Sequence, residues 1–173
     1  MNTKKVAYLA MLTSLGLALH IVESFIPNPF MGIAPGAKLG LANIIGLITL
    51  VMFGLKYALT VNILRSILGG LASGMITSMF YSLAGAIVST IIMWVIYKLL
   101  SKYFSLIGVS VFGALGHNIA QLTVASIMIS NTRMFIYLPV MMLTSIFTGI
   151  FIGLTANLAL NKAKISFKDF SGI

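Results

Sequence analysis

The sequence contains no cysteine and only two acidic residues, Glu23 and Asp169. The absence of cysteine excludes disulfide bonds and thiolate metal sites. Two carboxylates cannot supply the several oxygen ligands that a Mg²⁺–diphosphate cluster needs. The sequence also lacks a DDxxD pair, a Walker loop, an HExxH motif and a GxSxG motif. We therefore expect that the protein is not an enzyme and that it carries no metal and no cofactor.

Charged residues of any kind are scarce. They make up 8% of the 173 residues, whereas 60% of the residues are hydrophobic. A typical soluble domain has about 25% charged residues. The eleven basic and two acidic side chains cannot cover a chain of this length with a polar surface. The composition therefore excludes a soluble enzyme and predicts an all-α, polytopic membrane protein.

Six apolar runs fill the chain, and a helix needs about 20 mostly apolar residues to cross a bilayer. The runs cover residues 6–26, 41–55, 57–72, 76–100, 106–129 and 135–160. The first run has no convincing cleavage site before Pro27, so we interpret it as an uncleaved span rather than a signal peptide. We predict a single membrane domain, residues 1–173, with six transmembrane helices.

The net charge of +9 comes from lysines at the ends of the apolar runs, not from one basic patch. This pattern is typical of cytoplasmic loops and argues against nucleic acid as a partner. With the N-terminus inside, the lysines on the cytoplasmic side are Lys4, Lys5, Lys56, Lys98, Lys102, Lys162, Lys164 and Lys168. Only Lys38 and Arg133 then lie outside. We predict that both termini are cytoplasmic and that the protein resides in the cytoplasmic membrane of a bacterium.

The predicted outer loop 27–40 reads PNPFMGIAPGAKLG and contains three prolines and three glycines. Such a segment cannot form an ordinary helix. Its backbone polar groups must find partners in protein or water, so we expect it to cover or enter a cavity and to gate it.

A few polar side chains interrupt the apolar runs, where an ionisable group costs roughly 2.5–3.5 kcal/mol. Arg65 lies near the middle of the third run, and its planar guanidinium suits a phosphate or carboxylate. Glu23 is the only acid in the hydrophobic part, so at least one of the two cations Arg65 and Lys38 lacks a protein counter-ion. We therefore predict an anionic or amphipathic small-molecule ligand. The predicted substrate-binding residues are Arg65, Lys38, His117, Asn118, Gln121, Asn43 and Glu23.

Glu23 and His117 each allow two interpretations. Glu23 either forms a structural ion pair with Lys38 or Arg65, or contacts the substrate or a proton directly. His117 shares a helix face with Gln121 through their i, i+4 spacing. It is either a helix–helix hydrogen-bonding residue or a ligand donor, and nothing near it in the sequence completes a metal shell.

Small residues recur at helical spacing. The pairs Gly70–Gly74 and Gly149–Gly153 match GxxxG, which favours close packing between helices of the same chain. A smooth face on the first helix is the better candidate for docking to another protein. We call it the small-residue face, and it consists of Ala7, Ala10, Ser14 and Ala18.

Several segments resemble a bacterial membrane family described as heptaprenyl diphosphate synthase component I, also called the Gx transporter family. They read LHIVESFIPNPF, APGAKLGLANI, LRSILGGL, FYSLAGAIVS and GALGHNIAQLTVA. The resemblance covers roughly residues 4–160, and PGAKLGLAN and GHNIAQL are its most specific parts. That family is thought to be related to the substrate-binding S components of energy-coupling factor (ECF) vitamin transporters.

The resemblance implies an S-component-like bundle of six helices that binds substrate near the outer face, beneath the loop between its first two helices. It also implies docking of the first helix to a transmembrane coupling subunit and two ATPases. The family description points to an isoprenoid or quinone precursor as ligand. We therefore predict the S component of an ECF-type uptake transporter. The alternatives are a non-catalytic membrane anchor of a prenyl diphosphate synthase and a permease coupled to protons or sodium.

Overall fold

The computed structural model describes residues 3–25, 40–74 and 76–166. Within these ranges the chain forms six α-helices, one 3-10 helix and no strand, which confirms the all-α prediction. The α-helices are α1 Thr3–Phe25, α2 Asn43–Phe53, α3 Leu55–Ala72, α4 Ile76–Leu99, α5 Leu106–Ile129 and α6 Leu138–Ser166. The 3-10 helix Thr132–Tyr137 precedes α6. Each α-helix coincides with one of the predicted apolar runs to within a few residues, apart from the extended last turns of α6.

Four stretches of the described helices are long and apolar enough to cross a membrane. They are Thr3–Glu23, Met79–Leu99, Leu106–Ile129 and Thr132–Lys162. Helix α2 has only 11 residues, which corresponds to about 16 Å against a hydrocarbon core of about 30 Å. Helix α3 is continuous, but the polar residues Asn62 and Arg65 interrupt its apolar sequence. These findings fit a multi-pass membrane protein, while the six-span topology and the orientation of the termini stay predictions.

Helix α2 is the central helix of the bundle and contacts α1, α3, α4 and α6. Its residues are buried almost all the way round, including Ile44, Ile45, Leu47 and Leu50. A helix that is apolar on every side is stable when neighbours surround it. It ends at Phe53, and the next residue, Gly54, has a φ of 84° that a residue with a side chain rarely adopts. The chain therefore turns directly from α2 into α3.

Close glycine contacts fix the antiparallel packing of α5 and α6. A Cβ atom at Gly149 would lie 2.5 Å from the Cα of Val111, and one at Gly153 would lie 2.5 Å from the Cα of Ile107. Any side chain at these positions would collide with the backbone of α5. The pair Gly149–Gly153 therefore serves helix packing within the chain, as its GxxxG spacing indicates.

One end of the bundle is rich in lysine, and we call it the lysine-rich end. Lys5 places its Nζ atom 4.1 Å from the ring centroid of Tyr57, and Lys98 lies 5.0 Å from that of Trp94. An apolar cluster joins α2, the last turns of α4 and the middle of α6 to the first turns of α3 and α5. The described lysines at this end are Lys4, Lys5, Lys56, Lys98, Lys102 and Lys162. Arg133 lies at the opposite end, in the first turn of the 3-10 helix.

Candidate functional site

Arg65 is the centre of a buried polar cluster in the half of the bundle away from the lysine-rich end. Its side chain is only 2% exposed. Nη2 of Arg65 donates long hydrogen bonds to Oδ1 of Asn62 at 3.4 Å and to Oδ1 of Asn43 at 3.5 Å. Among the described residues, Nε of Arg65 has no hydrogen-bond partner. Neutral amides at these distances leave much of the guanidinium's hydrogen-bonding capacity unused.

Asn62 presents its carbonyl oxygen to Arg65 because its amide nitrogen is engaged elsewhere. Nδ2 of Asn62 donates to Oγ1 of Thr90 at 2.7 Å, and that hydroxyl donates to the backbone oxygen of Ala86 at 2.6 Å. This relay from α4 fixes the amide orientation. Oδ1 of Asn62, on the same helix as Arg65, therefore faces the guanidinium.

Two glycines make room for this cluster. A Cβ atom at Gly16 of α1 would lie 2.9 Å from Cδ of Arg65, and one at Gly46 of α2 would lie 2.8 Å from Oδ1 of Asn62. Long polar side chains can thus reach between the helices without forcing them apart. The sequence prediction did not include Gly16 or Gly46, because their role depends on which residue faces them.

Glu23 connects the end of α1 with the start of α2. Its Oε1 accepts a hydrogen bond from the backbone N–H of Gly40, and the carbonyl oxygen of Gly40 accepts from the N–H of Asn43 at 2.8 Å. Asn43 in turn accepts from Arg65. The negative charge of Glu23 also acts electrostatically on Arg65. Glu23 therefore combines a structural bond with partial compensation of the buried cation.

Two further polar contacts in the half of the bundle that contains Arg65 involve residues that were not predicted as site residues. The imidazole of His20 packs on Gly69 of α3, where a Cβ atom would lie 2.8 Å from Nε2. Oγ of Ser82 donates to Oγ of Ser66 at 3.4 Å, next to Arg65 in the sequence. His20 lies one turn before Glu23, and this spacing is the sequence signal that could have added it to the site.

Helix α5 divides its polar residues between two directions. His117 packs on Gly85 of α4, and Gln121 lies one turn further along the same buried face. Asn118 instead points to α6, where its Nδ2 donates to Oγ of Ser145 at 2.7 Å and to the backbone oxygen of Met141 at 3.1 Å. Asn118 therefore joins two helices and lies apart from the cluster around Arg65.

The remaining predicted residues fall into two groups. Lys38 lies outside the described residues, as does almost all of the predicted gating loop 27–40. The small-residue face is exposed at each of its four positions, which are Ala7, Ala10, Ser14 and Ala18. The buried face of α1 lies on the opposite side and contains Leu9, Leu12, Gly16, His20 and Glu23. The small-residue face is thus not used to pack α1 against the other described helices.

The described residues do not include a group of three or more His, Asp or Glu side chains that could hold a metal ion. The site consists instead of one cation, one anion, neutral amides, imidazoles and hydroxyls. Such a set can bind an organic or phosphorylated molecule through hydrogen bonds and charge.

Comparison with known proteins gives one family. No curated protein and no solved structure matches the chain significantly. The model of the family described as heptaprenyl diphosphate synthase component I matches residues 12–159. This range contains Arg65 and every hydrogen bond of the candidate site, and it spans most of the sequence. The chain belongs to the heptaprenyl diphosphate synthase component I family.

Proposed function

We propose that this protein is the substrate-binding S component of an ECF-type uptake transporter in the bacterial cytoplasmic membrane. It binds a small anionic or amphipathic molecule, with an isoprenoid or quinone precursor as the candidate class. It performs no chemistry itself, and a coupling subunit with its ATPases supplies the energy for transport.

The buried state of Arg65 carries this proposal. A guanidinium in an apolar interior is costly unless charge and hydrogen bonds compensate it. Arg65 receives the field of one carboxylate and two long amide contacts, and its Nε is unpartnered among the described residues. An anionic ligand would complete this set with charge-assisted hydrogen bonds, each worth about 1.5–3 kcal/mol. Glu23 then positions the cation, and Asn43 and Asn62 orient it.

The distribution of charge supports a site that opens to the exterior. Cytoplasmic ends of membrane helices carry an excess of lysine, and six described lysines lie at the lysine-rich end. Arg65, Asn43 and Glu23 all belong to the other half of the bundle. With the lysine-rich end in the cytoplasm, the cluster faces the side from which an uptake transporter receives its substrate.

The small-residue face supports a partner protein in the membrane. Its four positions are exposed on the side of α1 that is turned away from the bundle. Helices associate closely in lipid where small side chains let their backbones approach. We propose that the transmembrane coupling subunit covers this face.

The family description favours a second candidate function. It names the family as a component of a synthase, and a non-catalytic subunit that anchors a soluble prenyl diphosphate synthase to the membrane would fit that description. The lysine-rich end would be its contact surface. This role, however, gives no reason for a buried arginine in the opposite half of the bundle.

Affinity purification from native membranes distinguishes these functions. The tagged wild-type protein is expected to retain a transmembrane coupling subunit and ATPases, and Ala10→Leu is expected to lose them. Val6→Leu is the matched control, since Val6 is exposed on α1 outside the small-residue face. Recovery of a prenyl synthase in their place would support the anchor and contradict the transporter.

A further inference from the structure

Gln121 is the described residue whose hydrogen-bonding capacity is least used. Its side chain is 4% exposed. Neither Nε2 nor Oε1 has a hydrogen-bond partner among the described residues. Buried amides in folded proteins almost always have partners, because an unmade bond carries the full desolvation penalty. Arg65 donates to Asn62 and Asn43, whereas Gln121 makes no side-chain hydrogen bond within the described part of the chain.

The register of the helices places Gln121 at the level of the Arg65 cluster. His117 of α5 packs on Gly85 of α4, and the two helices run antiparallel. Gln121, one turn beyond His117, therefore lies at the level of Ser82, one turn before Gly85. Ser82 bonds to Ser66, which follows Arg65 in the sequence. Arg65 and Gln121 thus occupy one layer of the bundle, on the α3 side and the α5 side of α4.

We propose that Gln121 is a second recognition residue. It forms hydrogen bonds with a neutral group of the ligand that has a donor and an acceptor side by side. This inference rests on the proposed function, in which Arg65 holds the anionic group. A primary amide has an N–H and a C=O in one plane, so its matching partner is a lactam, an imide or another amide. A carboxylate would satisfy Nε2 but leave Oε1 without a donor. The ligand class is therefore a small acid that also carries an amide-like edge, which narrows the anionic molecules of the proposed function and replaces the isoprenoid or quinone precursors, since these have no such edge.

A ligand-free stability measurement tests the unpaired state of Gln121. Methionine has a similar shape and no strong hydrogen-bonding group, so Gln121→Met removes two unsatisfied atoms and fills the same space. We expect it to raise the Tm of the detergent-purified protein by about 2–4 °C. The matched control is Asn118→Leu, which removes bonds to Ser145 and Met141 and is expected to lower the Tm. A fall in Tm for Gln121→Met, as in the control, would show a structural amide and overturn the proposal.

Thermal shifts with two defined acids test the ligand class. Orotate carries a carboxylate and an imide edge on one ring, whereas benzoate carries only the carboxylate. We expect orotate to raise the Tm of the wild type more than benzoate does, and the two acids to act equally on Gln121→Met. Equal shifts in the wild type would overturn the proposal. Recovery of the coupling subunit and ATPases with Gln121→Met would then show that the transporter assignment stands without it.

Discussion

Gly16 of α1 lies directly against the aliphatic stem of Arg65 from α3, so close that a Cβ atom would come within 2.9 Å of Cδ. The position of the buried guanidinium therefore depends on a residue with no functional group. Gly16 marks the point where α1 meets Arg65 of α3, and Glu23 follows about two turns later on α1. Small changes at Gly16 should accordingly reach the site.

Gly16→Ala is expected to displace Arg65 and to weaken retention of an anionic ligand at least about tenfold. A methyl group in this tightly packed contact costs about 1–3 kcal/mol, because the arginine stem must move away from its rotamer. Small acids extracted from the purified variant and the wild type measure the effect. Leu15→Ala, at an exposed neighbour on α1, is the control. If Gly16→Ala and the wild type retain equal amounts of small acids, the contact between Gly16 and Arg65 does not affect ligand binding.

Asn62→Asp is expected to stabilise the protein and to abolish anion binding. An aspartate at this position would put a full negative charge where Arg65 now meets an amide oxygen at 3.4 Å. Charge-assisted bonds are roughly twice as strong as neutral ones, so the new pair would occupy the cation. The Thr90 hydroxyl, which now accepts from Nδ2 of Asn62, would turn to donate to the second carboxylate oxygen. A rise in Tm together with at least a tenfold loss of bound acid is the expected result. An unchanged content of bound acid would show that Arg65 is not the anion-binding group.

Glu23→Gln separates the two roles of Glu23. The glutamine can still accept the N–H of Gly40 through its oxygen, but it no longer compensates the charge of Arg65. We expect a lower Tm without ligand and a stronger stabilisation by added anion, since Arg65 then lacks its nearby negative charge. Thermal shift with inorganic diphosphate and with chloride as control measures both. A smaller anion effect in the variant would indicate that Glu23 contacts the ligand directly.

Because the sequence contains no cysteine, the orientation of the protein in the membrane can be tested by labelling single introduced cysteines. Ser101 is exposed at the lysine-rich end and Thr132 at the opposite end, so each can carry a single introduced cysteine. A membrane-impermeant maleimide is expected to label Thr132→Cys in intact cells, and Ser101→Cys only after permeabilisation. The reverse pattern would place the Arg65 half on the cytoplasmic side and contradict an uptake site.

Most of the helices could be predicted from the sequence because apolar runs and their ends are local features. The prediction 106–129 agrees with Leu106–Ile129 at both ends, and α2 ends one residue before Gly54. Gly54 marks the end of α2, and Ser130, Asn131 and Thr132 mark the end of α5, without reference to the rest of the fold.

Partners across helices could not be predicted in the same way. His117 and Asn118 are adjacent in the sequence, yet one packs on α4 and the other bonds to α6. Thr90 and Asn62, which are hydrogen-bonded in the relay to Arg65, are 28 positions apart in the sequence. Only tertiary packing brings them together. The types of polar residue therefore indicated a site in the sequence. Which of them bond to other helices, and which are left to contact a ligand, depended on the fold.

The most direct test of the account is a comparison of the acidic small molecules that co-purify with the wild type and with Arg65→Ala, measured by mass spectrometry on equal amounts of monodisperse protein. An anionic compound is expected in the wild type, and its amount is expected to fall at least about tenfold in the variant. The same anionic content in both proteins would show that Arg65 does not hold an anionic ligand.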